Sequence, residues 1–188
     1  MTGAVSIVSP ASRAGDCGPV AWSDEVGPED VERVRRLVAA TGKFNREEID
    51  MAAELVEMRI SLGERSGYRF VLARGRGGDL LGYACFGPIE GTDARFDFYW
   101  IAVLPECQGR GLGQRLLEAT EEAIWGAGGR RIYLDTSTSV PYEATRRFYD
   151  RAGYRREAVL VDFYRDGDGK LIMVKDAPDQ VPGGGHPL

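Results

Sequence analysis

Between residues 103 and 113 the chain reads VLPECQGRGLG. Its three glycines follow an aromatic and apolar run at 96–103 and precede an amphipathic run that extends to about residue 127. The first run predicts a central β-strand covered on both faces, and the second predicts a helix. A helix start has unpaired backbone N–H groups and the positive end of the helix dipole, and glycines let an anion approach those groups closely. The stretch therefore predicts a pyrophosphate cradle, to which Arg110 adds positive charge.

The spacing of these glycines excludes two common nucleotide-binding loops. No Gly-Lys-Ser/Thr sequence follows, as a Walker A loop requires, and residues 109–113 lack the spacing of the dinucleotide-binding fingerprint. The alternative without a function is a tight turn that only lets the strand and the helix pack.

The segments on both sides of the cradle predict an α/β fold. Periodicity and turn residues predict helices at 28–40, 45–62, 111–127 and 141–152, and strands at 68–73, 80–86, 96–103, 131–136, 156–164 and 170–175. The second helix begins at a capping box formed by Asn45 and Glu48. Strands with crossing helices in the middle, and hairpins at either side, predict a mixed sheet.

Length and composition indicate one folded globular domain, with 188 residues of which 43% are hydrophobic and 28% are charged. We expect the domain at 16–177 and flexible ends at 1–15 and 178–188, where no periodicity is present. The net charge of −5, from 24 basic and 29 acidic residues, argues against a nucleic-acid partner. No apolar run is long enough to span a membrane and no leader pattern opens the chain, so we expect a cytoplasmic location and no membrane partner.

Cysteine and histidine usage excludes several kinds of mechanism. The three cysteines, Cys17, Cys85 and Cys107, are an odd number without metal-ligand spacing, which favours reduced thiols and predicts no metal site. The single histidine, His186, lies in the C-terminal tail. A mechanism that needs a fixed catalytic histidine is therefore not expected.

The cradle resembles the acetyl-CoA-binding signature of the GCN5-related N-acetyltransferase (GNAT) family, Gln/Arg-x-x-Gly-x-Gly/Ala. Gln108, Gly111 and Gly113 occupy its three specified positions. A second family feature, a helix ending in Phe-Tyr and followed by Gly-aromatic, matches residues 148–154. The resemblance covers about residues 28–175. It implies a single-domain α/β fold with a mixed, mostly antiparallel sheet, a central splay and about four flanking helices.

The resemblance implies acetyl-CoA as a co-substrate and no metal. In the family the pantetheine arm pairs with the end of the central strand, the N–H of the residue at Val103 polarises the thioester carbonyl, and the glycine loop holds the pyrophosphate. The residues expected to contact the cofactor are Ile101, Ala102, Val103, Gln108, Gly109, Arg110, Gly111, Leu112, Gly113 and Tyr149.

The implied reaction is direct attack of a neutral amine on the acetyl thioester. A primary amine with a pKa of about 10.4 costs about 4–5 kcal/mol to deprotonate at pH 7, so a base or a relay of waters must assist. Tyr149 fits the family's general acid, and the alternative is that it only packs beside Phe148. Tyr142 stands where the family often has an asparagine that touches the cofactor, so this contact is open.

The base and the acceptor pocket follow from strand alternation. Asp97 and Tyr99 share one face of the central strand, so Asp97 is expected to act as a base through water or to anchor an ammonium group. An ordinary solvated aspartate is the alternative reading of Asp97, and Glu90 is the alternative carboxylate. The residues expected to line the acceptor pocket are Tyr99, Glu90, Phe44, Tyr142 and Tyr164. The role of the acidic stripe Asp50, Glu54 and Glu57 on the second helix is left open.

These observations predict an acetyl-CoA-dependent N-acetyltransferase that acts on the primary amine of a small molecule, amino-acid-like or polyamine-like. The alternatives are acetylation of a protein or peptide amine, a non-catalytic module that senses acyl-CoA, and, less favoured, a nucleotide-binding regulator. The family's acceptors vary widely on one scaffold, so the acceptor itself is not predicted. The oligomeric state is left open, with a homodimer among the alternatives.

Overall fold

The computed structural model describes residues 19–178, which divide into two compact units. Unit one contains residues 19–87 and 99–127, and unit two contains residues 88–98 and 128–178. The terminal segments 1–15 and 178–188, apart from Pro178, lie outside the described residues.

The described residues form seven strands and four α-helices. In chain order these are β1 (Ala21–Ser23), α1 (Pro28–Ala40), α2 (Arg46–Leu62), β2 (Arg69–Arg74), β3 (Leu80–Pro88), β4 (Arg95–Val103), α3 (Leu112–Gly126), β5 (Arg131–Ser137), α4 (Glu143–Arg151), β6 (Arg155–Arg165) and β7 (Asp168–Asp176). The strand order is β1-β2-β3-β4-β5-β7-β6, and β4 contributes residues 95–98 to unit two and 99–103 to unit one. The predicted fold class, a mixed and mostly antiparallel sheet with four helices, is confirmed.

The parallel pairing in this sheet is short. It joins Arg95–Asp97 of β4 to Arg131–Tyr133 of β5, and among the described residues the parallel ladder extends no further. The whole of β5, from Arg131 to Ser137, pairs antiparallel with β7.

Local signals explain why α1 and α2 begin where they do. Asn45 Oδ1 accepts from the Glu48 N–H at 2.9 Å, and Glu48 Oε2 accepts from the Asn45 N–H at 2.7 Å, which confirms the predicted capping box. At α1 the Asp30 carboxylate accepts from the Gly27 N–H at 2.9 Å. Both helix starts are therefore closed by acidic or amide side chains within the first turn.

The core of unit one lies between α1, α2 and the strands β2 and β3. Its fully buried side chains include Val34, Leu37, Val38, Ala52, Val56, Phe70, Leu72, Tyr83 and Cys85. Phe44, between the two helices, packs on Trp100 of β4 with ring centroids 4.9 Å apart. Apolar residues at helical spacing thus form one continuous packed layer.

Unit two is built around β5 and β7. Leu134, Leu171, Met173 and Val174 are buried there, whereas every residue of β6 is exposed. The sequence predicts an Asp-Gly-Asp-Gly turn before β7, and the chain turns between Arg165 and Asp168.

Two of the three cysteines lie within residues 19–178, and Cys17 lies outside them. Cys85 is free and buried, whereas Cys107 is disulfide-bonded, so the expectation of reduced thiols is wrong at Cys107. In the part of the chain that the structure describes, no three His, Cys, Asp or Glu residues are grouped to hold a metal ion. No helix within residues 19–178 is both long and apolar enough to cross a bilayer.

Candidate functional site

The glycine loop of unit one leads from β4 into α3. Gly109 and Gly111 have φ angles of 70° and 84°, in the left-handed region that favours glycine, and a Cβ at either position would meet no atom of residues 19–178 within 4 Å. The Arg115 N–H donates to the Gly111 carbonyl at 3.1 Å. The N–H groups of residues 112–114, at the start of the helix, precede this first bond and have no intrahelical acceptor. The loop therefore presents backbone donors beside open space.

The side chain of Gln108 closes this loop onto β4. Its Nε2 donates to the Val103 carbonyl at 2.9 Å, and its backbone N–H donates to the Pro105 carbonyl at 3.2 Å. These bonds join Gln108 to the end of β4 and to the start of the loop. The residue at the first position of the signature therefore stabilises the shape of the cradle.

Two residues that sequence reasoning did not single out support the loop. A Cβ at Gly82 of β3 would lie 3.1 Å from the Ala102 carbonyl oxygen and 3.3 Å from Leu116 Cδ2, so glycine allows β3, β4 and α3 to pack closely. Trp22 of β1 lies with its ring centroid 5.5 Å from Arg115 Cζ. This cation–π contact fixes Arg115 in the first turn of α3.

The strand that precedes the loop is largely buried. Ala102 and Val103 are buried and Ile101 is half-buried. Tyr99 is 41% exposed and its ring meets Tyr68 edge-on at 5.4 Å. Phe44, which was expected in the acceptor pocket, contributes to the core through Trp100.

Unit two brings together two carboxylates and a lysine, Asp97, Asp135 and Lys170, which we call the carboxylate–lysine cluster. Asp97 lies opposite Tyr133 of β5, and Asp135 follows two residues later on that strand. Lys170 Nζ forms an ion pair with the Asp135 carboxylate. Burial and the charge of Asp135 raise the pKa of Asp97, and the charge of Lys170 opposes this shift. Asp97 is thereby a stronger base than an ordinary solvated aspartate.

Tyr149 of α4 is only 5% exposed. Its ring packs edge-on against Phe148 at 5.2 Å and Tyr154 at 5.5 Å, and its hydroxyl has no hydrogen-bond partner among residues 19–178. A tyrosine hydroxyl that forms no hydrogen bond to these residues is a candidate donor to a ligand. Burial and the charge of Asp135 hold its pKa well above the ordinary value, so the hydroxyl stays protonated.

The segment between β5 and α4 is held by buried polar contacts. Ser137 Oγ donates to Asp168 Oδ1 at 2.5 Å, and the Gly169 N–H donates to Thr138 Oγ1 at 2.7 Å. Arg146 Nη1 donates to the carbonyls of Ser137 and Ser139 at 2.7 and 2.8 Å. These bonds position the start of α4, the helix that carries Tyr149, on the end of β5.

Other predicted site residues have less support from the geometry. Glu90 is exposed in the turn after β3, so Asp97 is the carboxylate that meets β5. Tyr142 is half-buried just before α4, and Tyr164 is 49% exposed with its ring 5.0 Å from that of Phe163.

A cavity of about 460 Å³ in unit two is lined by none of the predicted site residues. It is formed by Thr138, Arg146, Arg156, Glu157, Ala158, Val159 and Leu171.

The acidic stripe of α2 is partly neutralised within unit one. Asp50 forms an ion pair with Arg35 of α1, and Arg46 Nε lies 4.0 Å from its other carboxylate oxygen. This pairing links α1 to α2 and favours a structural role for Asp50.

Curated relatives of this chain are acetyltransferases. The chain is 34% identical over 79 residues to an uncharacterised N-acetyltransferase of Methanocaldococcus jannaschii (42% of this chain, 50% of the relative). It is 34% identical over 144 residues to the mycothiol acetyltransferase of Geodermatophilus obscurus, which covers 76% of this chain and 44% of the relative. It is 32% identical over 105 residues to the N-alpha-acetyltransferase RimI of Mycobacterium tuberculosis, which covers 55% of this chain and 63% of the relative. The chain spans about half the length of these relatives.

Solved structures show the same fold. A crystal structure assigned to the GNAT family, from Desulfovibrio desulfuricans, has a TM-score of 0.82 and 45% identity, with 84% of this chain and 99% of that chain covered. The structure of an aminoglycoside 6'-N-acetyltransferase complexed with coenzyme A has a TM-score of 0.66 and 20% identity, with 85% of this chain and 99% of that chain covered. At this identity the similarity shows a shared fold and no more.

The sequence model described as Acetyltransferase (GNAT) family matches residues 31–154. The match is most of the chain, and it includes both the glycine loop and the Phe148–Tyr149 helix. This chain therefore belongs to the GNAT family of acetyltransferases.

Proposed function

We propose that this protein transfers the acetyl group of acetyl-CoA to the primary amine of a small molecule. The observation that carries the proposal is the glycine loop of unit one, where left-handed Gly109 and Gly111 lead into the uncapped N–H groups of α3. The coenzyme A bound in the aminoglycoside 6'-N-acetyltransferase of the same fold supports this choice of cofactor.

The residues of the loop fit a pyrophosphate. Open space lies beside both glycines, the first turn of α3 supplies N–H donors, and Arg110 and Arg115 supply positive charge. Acetyl-CoA, when bound there, supplies an activated acetyl thioester. Ile101, Ala102 and Val103 are the strand residues that would hold its pantetheine arm.

The protons of the proposed reaction are assigned to residues of unit two. The acceptor enters as an ammonium ion and loses two protons while a C–N bond forms and the C–S bond breaks. One proton passes through water to the Asp97 carboxylate and then to solvent, which the raised pKa of Asp97 favours. The other ends on the departing sulfur, to which we assign the Tyr149 hydroxyl, kept protonated by its raised pKa, as the hydrogen-bond donor.

A second candidate acceptor is the amino terminus of a protein. The similarity to the N-alpha-acetyltransferase RimI of M. tuberculosis favours it. The small-molecule acceptor is favoured by the acidic chain and by the half-buried carboxylate of Asp97. A single carboxylate can pair with the ammonium group of a small acceptor, which needs no extended groove of the kind that binds a peptide.

The test is a thiol-release assay with acetyl-CoA against a panel of small primary amines and N-terminal peptides. Calorimetry of acetyl-CoA binding is measured on the same preparation. Binding with turnover of small amines supports the proposal. Turnover of peptides alone would transfer the function to a protein acceptor, and binding without any turnover would favour an acyl-CoA sensor.

A further inference from the structure

Lys170 of β7 occupies a position like that of a bound amine. Its Nζ forms an ion pair with Asp135 and lies 5.0 Å from the centroid of the Phe163 ring. A carboxylate on one side and an aromatic face on the other are the contacts by which proteins hold ammonium groups. The Lys170 side chain is 25% exposed, and that of Asp135 is 40% exposed. One carboxylate of the carboxylate–lysine cluster is therefore already neutralised by the chain.

Asp97 is the other carboxylate, and the charge of Lys170 also acts on it, although more weakly than burial does. Within residues 19–178 no lysine or arginine forms an ion pair with Asp97. Asp97 lies opposite Tyr133, two residues before Asp135 on the neighbouring strand, and the charge of Asp135 raises the pKa of Asp97. The same charge contributes to the raised pKa of Tyr149. The cluster thus has two carboxylates and one ammonium group, and a second ammonium group can bind beside Asp97.

We propose that Lys170 determines acceptor specificity, because its ammonium fills the second of two cation positions beside Asp97 and Asp135 and so restricts the acceptor to one ammonium group at this place. The inference rests on the proposed function and narrows it from amines in general to monoamines. The bond changes are those given above: a C–N bond forms, a C–S bond breaks and the acceptor ammonium loses two protons.

Competition between two alkylamines tests this inference. Butylamine and putrescine share a four-carbon chain and differ in the second ammonium group. Each is measured as an inhibitor of acetylation of the acceptor found in the screen. For the unaltered protein we expect similar inhibition constants. In Lys170→Met the vacated position accepts the second ammonium, so we expect putrescine to gain about fivefold over butylamine, ~1 kcal/mol for a partly exposed pair.

Two control variants separate this effect from a loss of structure. Lys170→Arg keeps the charge and the ring contact and should leave the ratio of inhibition constants unchanged. Lys175→Met removes a second lysine of β7 that also lies over a ring, that of Tyr154 at 5.5 Å, and should not change the ratio either. Thermal unfolding of each variant confirms that it is folded.

Several results would overturn the inference. An unchanged ratio in folded Lys170→Met, or an equal gain in Lys175→Met, removes Lys170 from acceptor selection. If putrescine inhibits the unaltered protein more than about fivefold better than butylamine, Lys170 does not exclude a second ammonium group and the inference fails. Absence of inhibition by either amine shows that the cluster is not an ammonium site. If no amine or peptide is acetylated in the screen, the proposed function fails, and this inference with it.

Discussion

At the residue scale, removal of the Tyr149 hydroxyl distinguishes a catalytic role of this residue from a role in packing. Tyr149→Phe removes an oxygen that has no hydrogen-bond partner among residues 19–178 while keeping the ring contacts with Phe148 and Tyr154. We expect kcat to fall by about 10²-fold or more, with the affinity for acetyl-CoA and the thermal midpoint nearly unchanged. Steady-state kinetics and calorimetry measure both effects.

Tyr83→Phe is the matched control for this substitution. The Tyr83 hydroxyl is fully buried without a hydrogen-bond partner in the described part of the chain, and it lies in the core of unit one. Its removal should leave kcat unchanged. An unaltered rate in Tyr149→Phe would show that this tyrosine only packs.

Asp30 and Arg74 form a buried ion pair that stabilises unit one. Arg74 donates to both oxygens of the fully buried Asp30 carboxylate at 2.9 and 2.8 Å. Burial raises the pKa of Asp30, but the hydrogen bonds from Arg74, the Gly27 N–H and Arg33 outweigh it and lower the pKa overall. The pair therefore stabilises the fold above the ordinary aspartate pKa of about 3.9, and this stabilisation is lost as pH falls through the lowered value.

Arg74→Met should reduce the free energy of unfolding by about 3 kcal/mol at pH 7, because the buried carboxylate loses its two-pronged partner and keeps only one hydrogen bond from a cation, that of Arg33 at 3.2 Å. The difference from the unaltered protein should shrink below about pH 4, where Asp30 is protonated in the unfolded chain. Denaturant titrations across pH measure it. Arg36→Met, at an exposed pair with Glu32, is the control and should change stability by less than about 0.5 kcal/mol. Equal losses in both variants would contradict a special contribution from the buried pair.

At the scale of the element, the two ends of α3 allow a matched comparison. Gly111 and Gly128 both have φ of 84° and open space around the Cβ position, one before the helix and one after it. Gly111→Glu should weaken acetyl-CoA binding by at least about 100-fold, since a carboxylate about 4 Å from a phosphate repels it by ~4 kcal/mol near a protein surface. Gly128→Glu carries the same backbone strain and should keep the affinity. Calorimetry measures the affinity of both variants for acetyl-CoA. Equal affinities would show that the phosphate does not bind at the start of α3.

Element boundaries were predicted best where a local signal exists. The capping box of Asn45 and Glu48 predicted the start of α2, because both hydrogen bonds form within one turn. The three-residue strand β1 was not predicted. It has no pattern of its own and exists through pairing of Ala21–Ser23 with β2, so its position depends on contacts distant in sequence.

At the scale of the whole molecule, binding of acetyl-CoA should increase the stability of the folded chain. A ligand that binds only the folded chain stabilises it by about 2.7 kcal/mol at a free concentration of 100 times its Kd. We expect acetyl-CoA to raise the thermal midpoint accordingly in the unaltered protein and in Tyr149→Phe. Gly111→Glu should show no such shift, and a shift of equal size in that variant would contradict the cradle. Differential scanning fluorimetry measures all three proteins.

The sequence by itself determined the order of the strands and helices from α1 onward, the glycine loop and the family. These depend on periodicity, turn residues and short motifs, in which the interacting groups lie within a few residues of one another. The identity of Asp97 as a carboxylate of interest followed in the same way, since a charged residue interrupts an aromatic strand.

Only the tertiary structure decided which groups surround these residues. Asp135 and Lys170 were not singled out from the sequence, because each is an ordinary charged residue until the pairing of β5 with β7 places them together. Asp30 meets Arg74 for the same reason, across 44 positions of sequence. Strand register and helix packing bring such groups together, and the charge and burial that result set the pKa of Asp97 and Tyr149, which no local pattern records.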